Sequence, residues 1–334
     1  MASSEATNAS LAYQYGGNHK GGWLAYLPEE WLPYVQLARL SPPVGLFLVF
    51  IPHAFGILHA AIRNQSAPLD VARASGLLFA ASFFYSNAVH IWNDLIDAPI
   101  DSKVQRTRKR PIPRRAVSPR AAFLFAASQA LVTGSFLFFM EGNLVENCLY
   151  AVPGIISWTY YPYAKLHTFW TQAVLGFALS WGVVMGSISL GLRPVAYKAG
   201  QVDFATIVLF TASICWTMIY DSVYAYQDLA DDLQIGVGSM AVLFRYQIKP
   251  IFWSLVAVIT VCLGILGRWE EMSPVYYILV PGGTTLWLGL MVTNVNLADS
   301  GSCWWWFSNG FWGVGGFIVV GLLLEYLRII RFWN

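Results

Sequence analysis

Apolar stretches alternate with short polar connections along almost the whole chain. Nine of them stand near 43–62, 72–92, 119–140, 145–161, 170–191, 204–225, 247–267, 274–293 and 308–328. A helix rising 1.5 Å per residue crosses roughly 30 Å of hydrocarbon in about 20 residues, so this pattern predicts membrane-spanning helices. The fourth stretch is the shortest and reads as tilted or partly interfacial. No interval has room for a soluble domain, and no extended linker or low-complexity tract interrupts the series. The expected fold class is all-α: a polytopic membrane protein with about nine transmembrane helices. Residues 41–334 form its one membrane domain, after a polar tail over residues 1–40. The tail has no basic stretch followed by an apolar one, so no cleavable signal is expected. An interfacial helix is expected within residues 23–40.

Composition agrees with this class. The chain is 57% hydrophobic and 11% charged, against about 25% charged in soluble domains. A net charge of +2 gives no footprint for nucleic acid. Cys148, Cys215, Cys262 and Cys303 are scattered, without zinc or disulfide spacing, and read as packing residues. Trp and Tyr gather at segment ends, as in interfacial belts, and Cys303-Trp304-Trp305-Trp306-Phe307 is the clearest case.

Charge placement orients the bundle. Lys103, Arg106, Arg108, Lys109, Arg110, Arg114, Arg115 and Arg120 fill the connection after the second stretch. Lys165, Arg245 and Lys249 follow the fourth and sixth, whereas the opposite loops hold Arg63, Arg73, Arg193, Lys198 and Arg268. The bias puts the even-numbered connections and the N-terminus on the cytosolic side.

Seven of the 18 acidic residues crowd into two clusters at that same face: Asp94, Asp97 and Asp101, then Asp221, Asp228, Asp231 and Asp232. Left in lipid, seven carboxylates would cost roughly 20 kcal/mol. They must face a polar cavity or the interface and hold cations. Asp94, Asp97 and Asp101 stand at i, i+3 and i+7, one helical face. Pro99 is expected to end or kink that helix near Ala98 and to leave Asp101 on a loop that folds back. Asp221, Tyr224, Asp228 and Asp232 share a second face, with Asp231 beside it. Mg²⁺ prefers one or two carboxylates with waters and phosphate oxygens, and Lys103, Arg106, Lys109 and Arg110 follow the first cluster, within reach of a phosphate. Acid, base and a membrane cavity together suggest a diphosphate with a lipid tail.

Asn93-Asp94-x-x-Asp97-x-x-x-Asp101 followed by Val104-x-Arg106-Thr107-x-x-Arg110-Pro111 resembles the first signature of the UbiA superfamily of membrane prenyltransferases. Tyr220-Asp221-x-x-Tyr224-Ala225-x-Gln227-Asp228-x-x-Asp231-Asp232-x-x-x-Gly236-Val237 resembles the second. Tyr161-Pro162-x-x-Lys165 with Gln172 and Leu175-Gly176, and Arg39-x-x-x-Pro43-x-Gly45, resemble the intervening and opening motifs. The run from Arg39 to Gly45 with Pro52-His53-x-x-Gly56 is most similar to fungal members of meroterpenoid pathways. The resemblance implies helices around a central cavity open sideways to lipid, and Mg²⁺-dependent ionisation of a prenyl diphosphate. It implies a metal set of Asn93, Asp94, Asp97, Asp101, Asp228 and Asp232. Gly238, Leu166 and Pro42 depart from it, each standing where many members carry a basic residue.

On this reading Lys103, Arg106, Lys109, Arg110 and Lys165 hold the leaving diphosphate. Tyr160, Tyr161, Trp181 and Tyr224 are candidate aromatic faces for the allylic cation. Asp221 orients an aromatic acceptor or removes its ring proton, and Arg39 pairs with an acceptor carboxylate or phenolate. The donor is expected to be farnesyl-like, the acceptor a polyketide-derived phenolic acid, and the setting the endoplasmic reticulum or another internal membrane. Two alternatives stand beside it: a membrane terpene cyclase that ionises the same diphosphate without an acceptor, and a non-enzymatic transporter or lipid-binding protein. His53, His59 and His90 read as core histidines. Gly182 and Gly186 read as a close-packing pair.

Overall fold

The computed structural model describes residues 22–196 and 201–333. The first 21 residues of the expected tail lie outside the described residues. After them come a 3-10 turn, Gly22–Tyr26, and a short helix, Leu32–Leu37. Each of the nine apolar stretches corresponds to one long helical segment: α1 (Val44–Asn64), α2 (Pro68–Asp101), α3 (Pro119–Ser135), α4 (Leu144–His167), α5 (Thr171–Ile188), α6 (Phe204–Ala225), α7 (Ile248–Trp269), α8 (Pro274–Asn294) and α9 (Ser300–Trp333). Short helical pieces follow α3 and α6, and a two-residue antiparallel ladder, β1 (Val195–Ala196) with β2 (Gln201–Val202), joins α5 to α6.

Seven segments are long and apolar enough to cross a membrane, and the protein is an integral membrane protein. α2 and α4 do not meet that measure, so seven candidate spans stand among the described residues beside the nine expected. The reason lies in their composition. The apolar stretch of α2 is diluted by Ser82, Ser86, Asn87 and His90, and that of α4 by Glu146, Asn147, Pro153 and Ser157.

Helix starts follow local chemistry. The Ser118 side chain accepts from Ala121 N, with Pro119 at the first helical position, and Asn143 and Asp203 cap α4 and α6 in the same way. Pro99 does not end α2, which continues to Asp101, correcting the expected break. A proline so near a C-terminus disturbs few remaining bonds, and the frayed end is closed by Ser102, whose N–H reaches Ala98 O and whose hydroxyl reaches Pro99 O. Asp94, Asp97 and Asp101 therefore stay on one helical face.

Packing inside lipid gains little from burying apolar surface, because the surroundings are equally apolar; close contact must supply the stability. The centre of the bundle shows how. α1 lies against α5, α5 against α6, and α9 closes on both α1 and α6. At the α1–α5 crossing, a Cβ added at Gly56 would fall 2.0 Å from Val183 O, and one at Gly186 would fall 2.2 Å from His53 O. Gly182 faces the His53 ring. The pairing expected of Gly182 and Gly186 is thus a backbone-to-backbone seam.

Gly186→Ala is expected to destabilise the fold by about 1–3 kcal/mol, because a rigid backbone atom stands in the way. Gly316→Ala, where nothing lies within 4 Å of the added carbon, serves as the control. Thermal unfolding in detergent checks this; equal midpoints for both variants would contradict the seam.

Candidate active site

The two acidic clusters lie on one cavity of about 170 Å³ at the end of the bundle where α2 and α6 finish. α2 contributes Asn93, Asp97 and Asp101. α6 contributes Asp221 and Tyr224, and its continuation through the 3-10 turn Tyr226–Asp228 and the helix Leu229–Ile235 contributes Asp228 and Asp232. Asp94 lies just behind the wall, fully buried. Asp231 points aside and accepts from Gln105 N at 2.9 Å.

Basic side chains fasten the clusters to each other and to neighbouring elements. Arg106, from the connection after α2, reaches across to Asp228: its Nε donates at 2.9 Å and a second guanidinium nitrogen closes a bidentate fork. Arg110 Nη1 lies 3.1 Å from Asp94 Oδ1 and 2.8 Å from Asp101 Oδ2. Arg39 Nη2 donates to Asp94 Oδ1 at 2.9 Å. Lys165 of α4 pairs with Asp97 Oδ2, which also accepts from Asn93 Nδ2 at 2.9 Å. Burial by itself disfavours the Arg106 charge. The Asp228 carboxylate and the Tyr224 hydroxyl outweigh it and hold the guanidinium above its ordinary pKa. Burial opposes the Arg110 charge likewise, and Asp101 and Asp94 reverse the effect. Both cations are therefore fixed in their charged form. The Arg106 guanidinium also lies 5.0 Å over the Tyr224 ring.

The donor set fits a divalent cation. Asp94 Oδ2, Asp97 Oδ1 and Asn93 Oδ1 are buried without a hydrogen-bond partner, three oxygen acceptors of the kind Mg²⁺ takes. Five carboxylates line the cavity and Asp94 lies behind it, against the four basic groups Arg39, Arg106, Arg110 and Lys165, so the acids outnumber the bases. Among the described residues no three His, Cys, Asp or Glu side chains gather closely enough to hold a metal by themselves. That suits an ion bound by one or two carboxylates together with water and ligand oxygens.

Arg39, Arg106, Arg110, Lys165, Tyr161, Asp221 and Tyr224 all line the cavity. Lys103 and Lys109 are exposed on the connecting turn and do not line it. Tyr160 is likewise outside, stacked on His167. The three departures have separate accounts. Leu166 is 60% exposed, so a charge at that position would face away from the cavity. Gly238 N donates to Lys165 O at 2.7 Å, and an added Cβ would meet Thr168 O at 2.4 Å. Thr171 Oγ1 donates to Gly238 O, and Gln172 Oε1 accepts from Met240 N. The backbone of this loop braces Lys165, in space that a lysine at 238 would need. Nothing in the structure explains Pro42.

Sequence reasoning missed Phe307, which lines the cavity from α9 with its ring 4.4 Å from that of Tyr224. It was hidden in the Trp-rich run assigned to an interfacial belt. The signal that exposes it is the stripe Cys303, Phe307, Phe311, Val314, Ile318 and Leu322, spaced as the inward face of a helix. Also missed was a second, apolar chamber of about 400 Å³ between α2, α3, α4 and α5. Val49, Val89, Trp158 and Leu179 border both spaces and stand at the boundary between them. The outer wall includes Phe123 and Ile155, both more than half exposed, so the chamber opens sideways between α3 and α4.

A model of the UbiA prenyltransferase family matches residues 49–315. The chain is 34% identical over 304 residues to the UbiA prenyltransferase claS of Ampulloclitocybe clavipes, covering 88% of this chain and 91% of that one. It is 34% identical to the polyprenyl transferase andD of Emericella variicolor, over 84% of each chain. Among solved structures, a UbiA homolog from Aeropyrum pernix superposes with a TM-score of 0.68 at 19% identity, over 83% of this chain and 97% of that chain. A UbiA homolog from Archaeoglobus fulgidus bound to DMAPP and Mg²⁺ gives 0.61 at 14% identity, over 90% of this chain and 99% of that chain.

Arg110→Met strips the shared partner from Asp94 and Asp101 and is expected to destabilise the protein by about 3 kcal/mol, the cost of orphaning buried charge. Arg108→Met, at an exposed position, is expected to leave the thermal midpoint unchanged. Similar midpoints for the two variants would contradict the described pairing.

Proposed function

The chain belongs to the UbiA prenyltransferase family, and from that premise we propose that it transfers a farnesyl-like group from its diphosphate to an aromatic acceptor such as a polyketide-derived phenolic acid, in meroterpenoid biosynthesis. The observation that carries this reading is the pairing of two unlike spaces. A cavity rich in carboxylates and fixed cations adjoins an apolar chamber, with Val49, Val89, Trp158 and Leu179 shared between their walls. A diphosphate head suits the first and its hydrocarbon tail the second. Along α2 the chamber wall runs from Val89 to Leu78, roughly 16 Å at 1.5 Å per residue, room for an extended farnesyl chain.

Asn93, Asp94, Asp97, Asp101, Asp228 and Asp232 are the proposed holders of Mg²⁺. When bound, the ion neutralises the diphosphate and makes it a better leaving group. Arg106, Arg110 and Lys165 donate to its oxygens as the bond from prenyl carbon to oxygen breaks and both electrons leave with the phosphate. Stabilising that growing charge lowers the barrier because it favours the transition state over the ground state. The faces of Tyr161, Tyr224 and Phe307 shelter the allylic cation. The acceptor's ring carbon supplies the pair for the new carbon–carbon bond, and Asp221 orients the ring or takes its proton. Arg39 stands at the cavity edge as a partner for an acidic acceptor. The proposed setting is the endoplasmic reticulum or another internal membrane, with the acidic face toward the cytosol.

The test is turnover by membranes given a series of prenyl diphosphates and phenolic acids, with and without Mg²⁺. Removing Mg²⁺ with a chelator is expected to stop the reaction. Asp94→Ala and Asp228→Ala are each expected to lose at least about 10²-fold in rate, the usual scale for removing one electrostatic contributor. Undiminished turnover by both variants would reject the roles given to these two carboxylates, and no turnover with any donor and acceptor pair by the wild type would reject the transfer reading. A hydrocarbon product formed without any acceptor would replace transfer by cyclisation.

A further inference from the structure

The apolar chamber holds a polar feature that prenyl transfer as described does not use. Its wall is almost all hydrocarbon, yet His53 on α1 and Ser82 on α2 line it while being only 8% and 1% exposed. His53 Nδ1 lies 2.8 Å from Val49 O. A carbonyl only accepts, so Nδ1 carries the proton and the neutral ring presents Nε2 as a bare lone pair. Among the described residues His53 makes no other hydrogen bond. Ser82 Oγ is buried with no partner. Both groups border the same chamber, His53 from α1 and Ser82 from α2. Hydrocarbon covering such groups would leave them unpaired at a cost to its own binding. A ligand that answers them gains both affinity and orientation.

We infer that His53 and Ser82 form a subsite for a neutral hydroxyl group of a substrate, which donates to His53 Nε2 and accepts from Ser82 Oγ. An ether or ketone offers Nε2 no proton, and a carboxylate is repelled by the lone pair. The inference rests on the proposed transfer reading, in which two reactants meet where the two spaces adjoin. His53 stands one helical turn from Val49, which borders both spaces, so a phenol anchored at Nε2 lies close to the boundary with the acidic cavity. Donation of the phenolic proton to the imidazole also enriches the ring in electrons, which favours attack on a cation. His53 is in this sense a positioning residue. A hydroxyl at the far end of the prenyl chain would satisfy the same pair, and the two sources are separable.

The experiment uses purified full-length protein in detergent with 5-pentylresorcinol or its dimethyl ether. The phenol is expected to raise the thermal midpoint of the wild type more than the ether does. His53→Phe and Ser82→Ala are expected to erase that difference. Ser82→Ala keeps the test open if His53→Phe cannot fold against Gly182. In turnover with farnesyl diphosphate, each variant is expected to raise the KM for the phenol about tenfold, the scale of one hydrogen bond. Loss instead of a preference for ω-hydroxylated over plain farnesyl diphosphate would support the subsite with the prenyl chain as its source. Equal wild-type response to phenol and ether, with no preference for the hydroxylated donor, overturns the subsite. So does a selectivity that both variants retain. The thermal measurement needs no turnover, so an inactive wild type would sink the transfer reading and leave the subsite result legible.

Discussion

Carboxylates at the edge of a membrane must be matched by positive charge, and in this chain the match is made across the bundle. Arg106 leaves the end of α2 and grips Asp228 beyond α6; Lys165 leaves α4 and grips Asp97 on α2. Each pair ties together helices far apart in sequence. Neither pair is a surface ion pair of small worth: both sit in a cavity where an unpaired partner would be costly. The same pairs that relieve repulsion among the acids also define where a charged ligand can lie. Stability of this end of the bundle and the geometry of the site are therefore one problem.

Much of the architecture was legible because it rests on period and spacing. The hydropathy pattern located every long helix, and the recurrence of Asp at helical spacing located both acidic faces. What failed was local inference applied without tertiary context. Pro99 was read as a break, yet so close to a helix end it removes little. Lys103 and Lys109 sit next to cavity residues in sequence, but a turn points them outward. Phe307 was invisible while its neighbours were read as one aromatic belt rather than as alternating faces of a helix. Among the described residues each of the nine stretches corresponds to a long helical segment, and polar residues within α2 and α4 set those two apart from the seven candidate spans.

Cross-bundle distances cannot be read from spacing at all. Nothing in the run from Lys103 to Arg120 singles out Arg106 as the residue that meets Asp228, since that choice depends on how α6 packs on α5 and α5 on α1. Those contacts in turn depend on Gly56, Gly182 and Gly186, whose missing side chains let backbones touch. The loop at Gly238 repeats the logic at smaller scale. There a bare backbone braces Lys165 and trades a possible local charge for a fixed one nearby.

The sideways mouth of the chamber between α3 and α4 changes the meaning of concentration for this protein. A ligand drawn through it comes from the plane of the bilayer, where its abundance is a mole fraction among lipids rather than a molarity in water. Diluting that plane with inert lipid would slow encounter even if the bulk amount of every reactant stayed the same. A product too greasy for water would leave by the route its precursor took, into the same leaflet, already positioned for the next membrane-embedded partner.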